Sequence, residues 1–194
     1  MSDTGLLVLG FDTSARHCAA ALMRGDTVLV QRSEEMARGQ AERLMPLLEE
    51  VLAEAGVTWD DLNVIGVGVG PGNFTGIRIS VSAARGLALA LDVPAVGVSS
   101  FEATSLDIEG PHIAGVEAPR GQVYTCPPGG TPSLEPEAPT DGPRLVLPPD
   151  PDRLAVNIAR VAATRREKTA RPAPLYIKAA DAAPPRDPAP VILS

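Results

Sequence analysis

Leu6-Leu-Val-Leu-Gly-Phe-Asp12 is a continuous apolar run of strand length that ends on a carboxylate. Without polar alternation it predicts a strand buried on both faces, at the centre of a sheet. Cys18–Met23 and Thr27–Arg32 follow, flanking Arg24-Gly25-Asp26, a tight turn in which Gly25 can take a positive φ. Together they predict a hairpin. Ala41, Leu44, Met45, Leu48, Val51, Leu52 and Ala55 then recur at helical spacing, and Gly56 supplies the stop. Pro46 falls in the first turn of that helix or kinks it. Val64–Val69 reads as a second buried strand, Ile77–Leu91 as a helix, and Ala95–Val98 as a strand that opens a short helix at Phe101.

The order is β-β-β-α-β-α-β-α. Three antiparallel strands followed by alternating helices and parallel strands describe an α/β protein with a mixed sheet covered by helices. That order resembles the ribonuclease-H-like topology, which is also the unit of the actin-like and sugar-kinase ATPases. A topology says little about chemistry.

Outward from this block the composition changes. Twelve of the 18 glycines lie in the first hundred residues, whereas only Pro46, Pro71 and Pro94 of the 20 prolines precede residue 110. The expected division is a regular lobe over 1–108 and a shortened second lobe over 109–194. In the second lobe, His112–Glu117 and Gln122–Cys126 flank Pro119-Arg120-Gly121 and predict a hairpin. Residues 126–151 read as a proline-rich loop. Leu154–Ala163 reads as a helix with Asp152 as N-cap, Leu175–Lys178 as a closing strand, and the last fifteen residues as a frayed tail.

At 194 residues, 44% apolar and 21% charged, the chain fits an ordinary globular protein of one domain or two small lobes. No apolar run approaches the ~20 residues of a membrane helix, and the start lacks a signal-peptide pattern, so a cytoplasmic protein without a membrane partner is expected. Cys18 and Cys126 make neither a disulfide framework nor a four-ligand zinc site. The net charge is −7 and no lysine occurs before Lys168. An acidic surface repels phosphate backbones, so the chain alone is not expected to grip nucleic acid.

Several residues invite a chemical reading. Asp12 stands where nucleases of this topology carry a magnesium-binding carboxylate, but the fourth strand ends in Gly68-Val-Gly70 with no acid. The favoured reading is that Asp12 anchors the turn it opens, with Thr13 and Ser14 after it. Gly66-Val-Gly-Val-Gly-Pro-Gly-Asn-Phe-Thr-Gly76 is neither a Walker loop nor a GxGxxG fingerprint. It carries a strand through Gly70-Pro71-Gly72-Asn73-Phe74-Thr75-Gly76 into a helix. Either Thr75 caps that helix and its free N–H groups bind an anion with Arg78, or the glycines make a tight corner where backbones or a partner come close. The residues leave both open. His17 and His112 are far apart and read as surface or strand residues, Ser99-Ser100 shows no His–Asp partnership, and Cys18 reads as a buried inert thiol. Arg165-Arg166-Glu167-Lys168 reads as a solvated helix end. No metal and no cofactor is expected.

Leu9-Gly-Phe-Asp-Thr-Ser14, Gly70-Pro-Gly-Asn-Phe-Thr-Gly-Ile-Arg78, Ala84-Arg-Gly-Leu-Ala-Leu-Ala90, Val96-Gly-Val-Ser-Ser100, Glu117–Tyr124 and Pro174-Leu-Tyr-Ile-Lys178 resemble, in order along the chain, the TsaB (YeaZ) family. The resemblance implies an inactive copy of the catalytic paralogue TsaD, also labelled glycoprotease-like. Such a copy forms a heterodimer through helices of the first lobe and is joined by the ATPase TsaE in tRNA threonylcarbamoyladenosine modification. It implies tRNA contact only through that complex, and allows a homodimer when the partner is absent. Where the paralogue carries paired metal histidines this chain has Gly39-Gln-Ala-Glu-Arg43, and the usual aspartate of the later motif is Glu117. Asp12, Thr13 and Ser14 then form a vestigial nucleotide site. On the 77–91 helix, Ile79, Ala83, Gly86 and Ala90 form a second, small-residue stripe that packs either on the chain's own helix at 41–55 or on a partner. The resemblance favours the partner, and with Leu44 and Leu48 the stripe is then the expected partner interface. The competing readings are a metallopeptidase or stand-alone ATPase, which metal content or ATP turnover would reveal, and a nuclease.

Overall fold

The computed structural model describes residues 5–167 and 170–177. Strands β1 (Leu7–Asp12), β2 (His17–Arg24), β3 (Thr27–Glu35), β4 (Val64–Gly68) and β5 (Ala95–Val98) form one sheet in the order β3-β2-β1-β4-β5. β1 runs antiparallel to β2 and parallel to β4, so the expected mixed sheet is present with β1 at its centre. Every residue of β1 is buried, as an unbroken apolar run predicts.

Both faces of that sheet are covered. On one lie helices α1 (Gln40–Glu54) and α2 (Phe74–Leu91), packing Leu44, Leu48, Val51, Ile77 and Val81 against Leu9, Phe11 and Ile65. On the other lies helix α4 (Pro151–Arg165), whose Ala155, Ile158, Ala159 and Ala162 meet Val8, Ala19, Ala21 and Val64. Thus a helix from the back of the chain completes the core of the front. Glycines on the central strands set its distance. A Cβ on Gly10 would come within 2.5 Å of the Ala155 carbonyl oxygen, and one on Gly66 within 2.8 Å of Ala162 Cβ. Alanine on the helix and glycine on the sheet allow this close seat.

A second sheet of four strands, β8-β7-β6-β9, follows from β6 (His112–Glu117), β7 (Val123–Cys126), β8 (Ser133–Glu135) and β9 (Arg144–Val146). β6 and β7 pair antiparallel, as the expected hairpin requires. The short helix α3 (Ser100–Ser105) follows β5, capped by Ser99, whose Oγ accepts from the Glu102 N–H at 3.2 Å.

Several boundaries differ from expectation. The stretch 126–151 is not all loop: β8 pairs with β7 and β9 runs parallel to β6, three residues each, too short for periodicity to register among the prolines. The N-cap of α4 is Asp150, which accepts from Arg153 N–H at 3.0 Å, because Pro151 occupies the first helical position and moves the cap two residues upstream of the expected Asp152. Pro46 sits in the second turn of α1 rather than the first. Leu175 donates its N–H to Val69 O at 2.8 Å, but residues 170–177 form no strand; Lys178 and the expected frayed tail lie outside the described residues. Against the expectation drawn from apolar run length, α2, at 18 residues, is long and apolar enough by length and composition to cross a membrane. It buries Ile77, Ser80, Val81 and Ala84 in the core.

Candidate functional site

The C-terminal ends of β1 and β4 meet at a corner, and the side chains named by the sequence converge there. Asp12 is fully buried, and its Oδ2 accepts from the Ser14 N–H at 3.0 Å and the Ser14 hydroxyl at 2.9 Å. The turn-anchoring reading therefore matches the geometry. The aspartate is not without an imidazole, however. His17 Nε2 lies 2.7 Å from the same oxygen; of the two expected settings His17 takes the strand, as the buried first residue of β2. Register explains the pairing: Asp12 stands opposite Ala19, so His17, two residues back along β2, projects from the same face as its diagonal neighbour. Asp12 Oδ1 has no hydrogen-bond partner and rests against Gly68, where a Cβ would overlap it.

The glycine loop closes over this turn. A Cβ on Gly72 would overlap the Ser14 carbonyl oxygen, and one on Gly76 the Thr13 carbonyl oxygen. The Asn73 N–H donates to Ser14 O at 2.6 Å, and the Thr13 hydroxyl donates to Gly76 O at 2.7 Å. Gly70 O accepts from the Ser100 N–H at 2.8 Å, and Pro71 is buried. Of the two readings of the loop, the close backbone corner is the one the contacts describe. The cap of α2 is Asn73, whose Oδ1 accepts from the Gly76 N–H at 2.9 Å, not Thr75, which is exposed. The first helical residue is Phe74, so the cap must be the residue before it. Arg78 turns outward, its Cζ 4.2 Å from the centre of the Phe74 ring.

Asp12→Ala should lower stability by about 2–4 kcal/mol, since it leaves the buried His17 ring and the Ser14 N–H without their acceptor. Urea unfolding of the free chain checks this; a loss below about 0.5 kcal/mol would mean the network contributes nothing.

A cleft of about 700 Å³ opens from this corner toward the second sheet, lined by Ser14, His17, Asn73, Glu117, Tyr124 and Leu154 among others. Among the described residues no group of three or more His, Cys, Asp or Glu side chains is placed to hold a metal. Burial, then the Glu34 carboxylate, pushes the Cys18 thiol up to about 12, as expected of an inert core cysteine.

The expected partner face of α2 divides in two. Ile79 and Ala83 are half-buried against the core, whereas Gly86 and Ala90 are exposed and a Cβ on Gly86 would meet nothing within 4 Å. Leu44 and Leu48, expected in the same face, are 1% and 0% exposed. They sit on the inner side of α1 and belong to the core; helical spacing identifies an apolar face but not which neighbour covers it. Leu89, beside the stripe, is 84% exposed.

A mixed five-stranded sheet in this order, with an aspartate-anchored turn gripped by a glycine corner, defines an α/β lobe of the ribonuclease-H-like and actin-like type. Residues 28–131 match the family model "TsaD: tRNA N6-adenosine threonylcarbamoyltransferase". The tRNA threonylcarbamoyladenosine biosynthesis protein TsaB of Bacillus subtilis (strain 168) is 38% identical over 125 residues, 62% of this chain and 54% of that protein. The protein of the same name from Escherichia coli (strain K12) is 36% identical over 94 residues, 48% of this chain and 40% of that one. The matches thus span about half the length of these relatives or less. YeaZ from Pseudomonas aeruginosa superposes with a TM-score of 0.72 at 24% identity, covering 88% of this chain and 99% of that one, which shows the same fold. The chain belongs to the TsaB/YeaZ family.

Proposed function

We propose that the chain serves tRNA threonylcarbamoyladenosine biosynthesis as a non-catalytic subunit, docking on a TsaD-like catalytic paralogue through α2 and activating it, with a TsaE-like ATPase joining the pair. The observation that carries this reading is the outer stripe of α2. Gly86 and Ala90, exposed beside Leu89, offer a helix surface bare of long side chains. Small residues let a second helix approach closely, and an apolar face with no internal cover is stabilised by a partner. The corner supports the non-catalytic part. Asp12 Oδ2, Ser14, His17 and Asn73 there are engaged in holding one turn, and the segment matching the paralogue's histidines is Gly39-Gln-Ala-Glu-Arg43. In this reading the paralogue supplies the transfer chemistry and the corner keeps β1, β4 and α2 in the shape the partner recognises. The same face can pair two copies when the paralogue is absent. Sedimentation of the chain mixed with a TsaD paralogue tests the docking: a species at the summed mass supports it, and two unchanged components at micromolar concentration refute it.

A further inference from the structure

An exposed aromatic–arginine ladder borders the glycine corner, at the opposite end of α2 from Gly86 and Ala90. Phe74 and Tyr176, 42% and 44% exposed, stack with ring centroids 5.0 Å apart and an interplanar angle of 27°. Arg78 lies over the Phe74 ring. Arginine and tyrosine cannot occupy one face of the same ring, so each takes one side of Phe74, and among the described residues the outward face of Tyr176 is left open. Beside it opens a pocket of about 400 Å³, within the usual range for small ligands, shared by Phe74, Tyr176, Arg120, Gln122 and Tyr124. Arg120 occupies the tip of the β6–β7 turn in a left-handed conformation, φ 65°, and is exposed. Among the described residues Arg78 and Arg120 have no carboxylate partner, a state they share with Arg16, Arg24, Arg38, Arg85, Arg144 and Arg171, whereas arginines 32, 43, 153, 160, 165 and 166 are ion-paired.

We infer that this surface binds an unpaired nucleotide of an RNA strand, the base stacked on Tyr176 and the phosphate held by Arg120. An open ring face suits any base, because every base has a π-face, and a nearby guanidinium suits the phosphate. Gln122 supplies an amide donor and acceptor for a base edge. The chain's overall charge of −7 opposes nucleic acid, so the attraction is a local one, supplied here by Arg78 and Arg120, and it falls with salt. One ring face and one or two cations hold a free nucleotide weakly; they are matched to one residue of a strand whose remainder lies on another subunit. The identity of the ligand as RNA rests on the reading above, but the site itself is testable without the paralogue.

The test is a titration of the full chain at low ionic strength with a single-stranded oligoadenylate of nine residues, adenosine monophosphate and adenosine. The oligonucleotide is expected to bind about tenfold or more tightly than the monophosphate, and adenosine more weakly still. Tyr176→Ala and Arg120→Ala should each weaken oligonucleotide binding about fivefold or more without changing thermal unfolding. Equal affinity for monophosphate and oligonucleotide would overturn the assignment to RNA in favour of a free nucleotide. Wild-type binding by both variants, or no saturable binding of any probe, would overturn the site. A failed heterodimer with intact oligonucleotide binding would remove the proposed docking and leave this inference standing.

Discussion

Gly86→Arg is expected to abolish docking on a TsaD paralogue while leaving the free chain as stable as before, or more so. The two effects have opposite signs for a physical reason. In the free chain Gly86 lies within α2, facing open space, and arginine is a better helix former than glycine by up to about 1 kcal/mol. In a helix-on-helix interface the same side chain puts a long cation where backbones approach. Burying that charge without a partner costs several kcal/mol, and each 1.4 kcal/mol is tenfold in affinity. A micromolar or tighter complex should be lost, read as disappearance of the summed-mass species in sedimentation. An unfolded or strongly destabilised variant would show that this face is internal; a stable variant that still forms the heterodimer would place the interface elsewhere. Ala83 is a poorer probe because it is already half-buried against the core.

The second large effect is at the corner. Gly76→Ala should destabilise the free chain by about 3 kcal/mol or more, lowering the midpoint of thermal unfolding by roughly 6–12 °C. The new methyl would overlap the Thr13 carbonyl oxygen. That oxygen cannot easily retreat: Thr13 is tied through its hydroxyl to Gly76 O, and its neighbour Ser14 through its carbonyl to the Asn73 N–H. The control is Gly86→Ala, the same change ten residues along the same helix. There nothing lies within 4 Å, and the loss of glycine's backbone freedom should raise stability by about 1 kcal/mol. A Gly76→Ala chain that unfolds at the wild-type temperature would mean the corner yields without cost.

The first sheet was legible because its signals are long or local. An unbroken apolar strand, a glycine turn and seven apolar residues at helical spacing each predict their element without outside help. The misses share a cause, which is that pairing is non-local. His17 reads from sequence only as a surface or strand residue because its partner is visible only once β1 and β2 are in register; Asp12 and a histidine five residues on across a short turn are the available signal. Leu44 and Leu48 lie in the core and not in an outer face; amphipathicity marks an apolar side of a helix without naming the surface that covers it. The seat of α4 on the first sheet was signalled by Gly10 and Gly66 in buried strands against Ala155, Ala159 and Ala162, a match readable only in three dimensions. β8 and β9 are held by their neighbours in the sheet rather than by their own residues.

The central claim, a subunit that activates without catalysing, is tested most directly by threonylcarbamoyl transfer to tRNA in a reconstituted mixture of paralogue, ATPase and this chain, omitting each in turn. The account predicts no transfer by this chain alone, little by the paralogue and ATPase without it, and full transfer when all are present, with Gly86→Arg behaving as omission. Transfer by this chain in the absence of the paralogue, or undiminished transfer when this chain is left out, would contradict it.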